Sequence, residues 1–305
     1  MSVRINPRGL AMYLISRDHI RYAHDKTDPP ALSIDTGDCV RLETYDARTG
    51  TIRADTDLLD HPHPEGANPI TGPIFVKGAE PGDSLQVHIL GITLADQGFL
   101  AVKQNVGLLA HRANQYATKV IPIADGIAHF CNRVNFPIRP MVGTIGTAPA
   151  GEAVPTSHPG AHGGNMDNNE VKAGAEIHLP VNVPGALLAL GDVHASMGDG
   201  EVSMVGFEIC AEVTIRVCLI KDTPIARPWI HSADGNWVST GDDLDPEVAM
   251  RIATEEMVNM VMRRKQLTFE EAYMLVTACG DLSICQACQP GSFPVTTRMT
   301  LSPGM

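Results

Sequence analysis

Thirteen residues, Phe207 to Leu219 (FEICAEVTIRVCL), alternate without a break. Phe207, Ile209, Ala211, Val213, Ile215, Val217 and Leu219 fall on one side. Glu208, Cys210, Glu212, Thr214, Arg216 and Cys218 fall on the other. Successive side chains of a strand point to opposite faces. The pattern therefore predicts one long strand with a buried face and a mostly polar face. Such a strand needs hydrogen-bonded neighbours and a second layer to cover it. Neighbours are at hand. Asp83–Leu90 (DSLQVHIL) alternates after the turn signal EPGD, Asp38–Glu43 (DCVRLE) follows DTG, and Ala186–Asp192 (ALLALGD) follows VPG. The 28 glycines and 22 prolines break the apolar runs into short pieces. That rhythm predicts a mainly β fold, sandwich- or barrel-like, rather than alternating βαβ units.

Two helices are predicted late in the chain. Asp245 caps the first, Pro246 takes its opening position, and Val248, Ile252, Val261 and Met262 recur at helical spacing. Thr268 and Glu271 stand in capping-box register for the second, which Gly280 ends. A strand-like tail follows over Phe293–Leu301. No internal repeat or long linker is present. The division expected from the sequence is a β-rich part over residues 1–145 and a β-rich part with helices over 146–305. One intertwined domain is the alternative.

Charge narrows the range of partners. Thirty-five acidic against 23 basic residues give a net charge of −12, and no basic stripe suits a phosphate backbone, so no nucleic-acid partner is expected. The opening MSVRINPRGLAMYLISRDH lacks the apolar core of a secretion signal, and no apolar run is as long as a membrane span. The expectation is a cytoplasmic protein with no membrane partner. Seven scattered cysteines are then expected to be reduced, and the lone Cys285-x-x-Cys288 pair is read as structural.

Metal-loving side chains gather in two glycine-rich stretches. GDVHASMGDGE (Gly191–Glu201) carries Asp192, His194, Asp199 and Glu201, and HGGNMDN (His162–Asn168) carries His162, Asn165 and Asp167 beside Gly163 and Gly164. On a strand, Asp192 and His194 share a face two residues apart, and an imidazole with a carboxylate can hold a divalent cation. The plain alternative is a pair of polar turns, which favour Asp, Asn and Gly but have no need of His or Glu. Glu43 and Asp46 in LETYDA, and His61 and His63 in DHPHPEG, are weaker candidates of the same kind. The nucleophile elbow, the P-loop, the dinucleotide fingerprint and HExxH are all missing from the sequence. Chemistry here is expected to use metal-activated water rather than a protein nucleophile.

Together, NPITGPIFVKGAEPGDSLQVHI (Asn68–Ile89), GTIGTAP (Gly143–Pro149), HGGNMDN and GDVHASMGDGEV (Gly191–Val202) resemble the acetamidase/formamidase family, in family order and over nearly the whole chain. The resemblance implies a largely β architecture and hydrolysis of a short aliphatic amide to carboxylate and ammonia. It also implies a homo-oligomer, dimer or higher, and a divalent metal, zinc foremost. Carried over, it marks Glu43, Asp46, Gly163, Gly164, Asn165, Asp167, Asp192, His194, Asp199 and Glu201. Met197 departs from it, standing where the family often has Gln.

The expected assignment makes Asp192 and His194 the principal metal ligands, joined by Asp46 or Asp167, with Glu43 and His162 as further candidates. Glu201 or Asp199 moves the proton, and Asn165 with Gly163 and Gly164 receives the oxyanion. Two alternatives stay open. One is a non-catalytic β-sandwich module binding calcium or a sugar. The other is a family member acting on a different amide, such as an amino-acid amide or a cyclic one.

Overall fold

The computed structural model describes residues 4–5, 11–62, 66–302 and 304; His63 lies outside them. Among the described residues, ten strands form one sheet, in which Ala211–Ile220 runs between Cys39–Thr44 and Ser84–Leu94. Seven form a second, in which Leu188–His194 runs between Met141–Gly146 and Ile70–Val76. Burial alternates along Ala211–Ile220 as its sequence requires: Ala211, Val213, Ile215 and Val217 are buried, and Glu212, Thr214 and Arg216 are only partly covered. The buried set joins Leu42, Leu85 and Val87 of the same sheet. It shares one core with Ile74, Val142, Ile145, Leu188, Leu190 and Val193 of the other. Each such side chain contributes roughly 1.5–3 kcal/mol over exposure, and a one-residue slip would turn the whole set outward. The fold is mainly β, as expected.

The alternating segment does not stay in one sheet. The strand begins at Ala211, and Phe207, Glu208 and Ile209 are all buried. Phe99 N–H donates to the Glu208 carbonyl and Glu208 N–H to the Phe99 carbonyl, each at 2.9 Å, while Ile209 N–H donates to the Val193 carbonyl at 3.2 Å. This short stretch ties Gln97–Val102 to Leu188–His194, which is why the period-two pattern gives the wrong face for Glu208. Residue 145 itself falls inside the strand Met141–Gly146. Both large sheets contain strands from before and after it.

The helices cover one end of the ten-stranded sheet. Helix α1 (Pro246–Lys265) starts where the Asp245 carboxylate accepts from the Glu247 amide, and α2 (Phe269–Cys279) starts at a complete Thr268–Glu271 capping box. The face α1 buries differs in part from the one its apolar spacing suggests: Ala249 and Ala253 are its innermost residues, with Met257, Val258 and Val261. A Cβ at Gly241 would collide with the Ala249 carbonyl, so helix and strand meet through small residues. Gly280 caps α2 in an extended conformation (φ −96°) rather than a left-handed one. Its lack of a side chain matters because a Cβ there would lie 2.7 Å from the Val276 carbonyl. We predict that Asp245→Ala lowers unfolding stability by about 1 kcal/mol, the usual worth of such a cap, as read by denaturant titration. Gly280–Gln286, which lacks clear alternation, forms the strand beyond Val295–Leu301 and carries Gln286 to the site. Among the described residues no helix is long and apolar enough to cross a membrane.

Candidate metal centre

The second sheet assembles one end of the site. Leu188–His194 and Gly163–Asn165 flank Met141–Gly146 on opposite sides, so Asp192 and His194 approach Asn165 and Asp167 across it. Gly143 leaves the gap. A Cβ there would stand 2.6 Å from Asp167 Oδ1 and 3.0 Å from Asp192 Oδ2. Thr144 Oγ1 lies 2.6 Å from Asn165 Oδ1 and 3.2 Å from Asp192 Oδ2, and Asn68 Nδ2 donates to Asp192 Oδ2 at 2.8 Å. These donors hold one oxygen of Asp192 and leave the other uncommitted.

The remaining members arrive from the loops that leave the sheet. His194 Nε2 lies 3.3 Å from Glu208 Oε1 and 3.5 Å from Asp192 Oδ1, and its Nδ1 lies 3.9 Å from Asp167 Oδ1. A Cβ at Gly206 would come within 2.5 Å of that Nδ1, so only glycine admits the ring there. Gln286 Nε2 donates to Asp167 Oδ2 at 2.5 Å and to Glu201 Oε2 at 2.9 Å, bridging two carboxylates. Two overlapping groups result, Asp167–His194–Glu201 and Asp192–His194–Glu208. Within each, the ligand atoms all lie within 4.8 Å of one another. Asp167, Asp192 and Glu201 also adopt positive φ angles of 44°, 54° and 41°. Such backbone is uncommon for residues with a Cβ and concentrates at functional sites.

All five groups are buried, and their protonation shows the strain of that. Burial pushes the Asp167 carboxyl well above the usual carboxylate range, and the charges of Glu201 and Asp192 add to the shift. Burial likewise raises Glu201, against the pull of His194 and Gln286. Glu208 is pushed up to about 7 by burial, with His194 opposing. Burial alone would lower His194; the neighbouring Glu208 and Asp192 outweigh it and raise the imidazole well above its ordinary value. Four buried carboxylates around one imidazole are short of positive charge, and ions buried without compensation are costly.

The residues present fit a divalent cation. Asp167 Oδ1, Asp192 Oδ1 and both ring nitrogens of His194 have no hydrogen-bond partner among the described residues, although native structures pair nearly all such atoms. A donor set of one imidazole and several carboxylates is one zinc accepts. Calcium prefers six to eight oxygens, so the imidazole counts against it.

The sequence candidates divide. Asp167, Asp192, His194 and Glu201 come together, with Asn165 beside them. Asp46 does not join either group: its Oδ1 accepts from the Arg48 and Gly50 amides in its own turn, and Cys210 Sγ lies 3.5 Å from its Oδ2. Glu43 is partly exposed near Arg17, at 3.9 Å. Asp199 is exposed and paired through both oxygens with Arg298, at 2.9 and 2.8 Å. His162 is buried against His24, ring centroids 5.0 Å apart, and belongs to neither group. Gly163 and Gly164 lie in a three-residue strand paired on both sides. A Cβ on Gly163 would strike the Ile145 carbonyl, and one on Gly164 the His158 carbonyl, so close packing requires these glycines. His61 is exposed.

Glu208 and Gln286 escape a reading of the sequence. Glu208 looked like the polar face of a strand, and nothing local distinguishes Gln286 in SICQACQ.

A cavity of about 230 Å³ reaches the cluster and is lined by Glu201, Glu208, Asn165 and Gln286, with Leu59 and Phe99 among its apolar walls. It is smaller than the ~300–1,000 Å³ of drug-sized sites. Asn165 Oδ1 already accepts from Thr144, which leaves its amide nitrogen for a ligand there.

The chain resembles several known proteins. The acetamidase of Bacillus halodurans superposes with a TM-score of 0.91 at 36% identity, over 94% of this chain and 96% of that one. A Schizosaccharomyces pombe protein named as a candidate formamidase is 30% identical over 64% of this chain, and the formamidase of Methylophilus methylotrophus is 27% identical over 64%. The match spans 62% of the length of each of these two curated relatives. The acetamidase/formamidase family model matches residues 16–158 and 150–288. By that coverage, and by the fold it shares with a solved acetamidase, this chain belongs to the acetamidase/formamidase family.

Proposed function

We propose that the chain hydrolyses the C–N bond of a short aliphatic amide with a divalent cation, zinc by preference, held by Asp192 and the Nε2 edge of His194. The observation that carries this reading is the set of orphaned atoms in a buried, carboxylate-rich cluster at the end of a small cavity, Asp192 Oδ1 beside His194 Nε2 and Asp167 Oδ1 beside His194 Nδ1. A bound cation supplies Lewis acidity to the amide carbonyl and to water. Glu201, which faces the cavity, takes the water proton and returns it to the departing nitrogen. Water oxygen joins the acyl carbon, the C–N bond breaks, and ammonia leaves with the transferred proton. The Asn165 amide is placed to donate to the developing oxyanion. So small a substrate offers little remote binding energy, so positioning and fixed charges must do most of the catalytic work.

Membership of a family with acetamidase and formamidase relatives supports the reaction class. Seven free thiols suit a reducing cytoplasm. Exposed Phe269, Tyr273, Met274 and Leu282 offer apolar surface that a homo-oligomer would cover. The test is ammonia release across a small panel of amides before and after chelation, with metal content measured in parallel. Chelation should abolish ammonia release, and zinc should restore it. Activity that survives complete metal removal would refute the reading, and calcium binding without any turnover would favour a binding module instead.

A further inference from the structure

Two cations in the wall of the cavity have no counterpart in the reaction. Lys103 and Arg48 both line it, together with the apolar Leu59 and Phe99. The Lys103 ammonium makes no hydrogen bond or ion pair among the described residues, and it is partly buried. Arg48 gives one hydrogen bond to the His61 carbonyl, at 2.9 Å, while its Nε is buried without a partner. Neither meets a carboxylate within 4.0 Å among the described residues. Burial and the like charge of Arg48 hold Lys103 below its usual range.

Side chains this long and this costly to desolvate are not needed to admit formamide or acetamide. Two cations that line one partly dry pocket and meet no carboxylate among the described residues are a site for an anion. We infer that the amide taken by this cavity carries a carboxylate at the far end of a short aliphatic chain, seated on Lys103 and Arg48 while its carboxamide meets Glu201, Glu208 and Asn165. The inference rests on the amide-hydrolase reading above and adds the substrate class to it. The product is then a dicarboxylate and ammonia. Apolar Leu59 and Phe99 contact the methylene chain between its two ends.

The test compares succinamate with butyramide, which match in length and differ in the terminal charge. In the wild-type holoenzyme kcat/KM should favour succinamate by on the order of 10- to 100-fold, the worth of one charge-assisted contact. In Lys103→Met that ratio should fall to near one, and Arg48→Met should lower it in the same direction. A wild-type ratio near one, or a ratio that Lys103→Met leaves unchanged, overturns the inference. Calorimetry of succinate against butyrate separates it from the broader reading. If neither amide releases ammonia, yet succinate binds more tightly than butyrate only while Lys103 is present, the anion site stands and the hydrolase reading falls. If butyramide is hydrolysed and succinate gains nothing from Lys103, the hydrolase stands and the anion site falls.

Discussion

His194→Ala is expected to lose bound metal and amide hydrolysis together. The ring lies at the centre of both three-residue groups, so its removal takes a ligand from each. The Lewis acidity lost with the cation is worth several kcal/mol, which corresponds to on the order of 10³-fold or more in rate. Native-like circular dichroism would show that the fold survives. Asp192→Asn supplies a second variant of nearly unchanged volume, in case the cavity left by His194→Ala proves too costly. It removes the uncommitted oxygen of Asp192 while leaving a side chain that Asn68 and Thr144 can still reach. A His194→Ala protein that keeps its metal and full turnover would remove the basis of the proposed centre.

Glu201→Gln should separate binding from chemistry. The side chain faces the cavity, keeps its size in the variant, and stays within reach of Gln286. Metal content and substrate KM should hold, while kcat falls by about 10²–10⁴-fold, the range for a lost general acid–base group. Loss of the metal instead would make Glu201 a ligand, and a kcat within a few-fold of wild type would give its proton-transfer role to Glu208. The same assay at Asp199→Asn makes a useful contrast, because Asp199 is exposed and committed to Arg298.

Much of the architecture is legible along the chain because its causes are local. Ala211–Ile220 alternates, and Ala211, Val213, Ile215 and Val217 are buried. Asp245, Thr268 and Glu271 mark helix starts with side chains that satisfy amides only two or three residues away. Half of the buried cluster around His194 is legible for the same reason. Asp192 and His194 lie two residues apart on one strand, and Asp167 and Asn165 lie together among glycines whose backbone approaches its neighbours closely. Glu208 is not legible, because the alternation that fixes Ala211–Ile220 continues unbroken through residues that belong to another part of the fold. Asp46 and Asp199 mislead in the opposite sense. Their composition suits a cation, but one is spent within its own turn and the other on Arg298.

Sequence periodicity determined that this chain builds sheets with one covered face and ends in two capped helices, since side-chain direction and capping depend on residues only a few positions apart. Sheet order decided which carboxylates gather around His194. Gly143 and Gly206 open the space, Met141–Gly146 brings Asn165 and Asp167 toward Asp192 and His194, and Gly280–Gln286 delivers Gln286 from the far end of the chain. Electrostatic convergence falls off with distance in space, not with separation along the backbone, so only the folded arrangement could settle it.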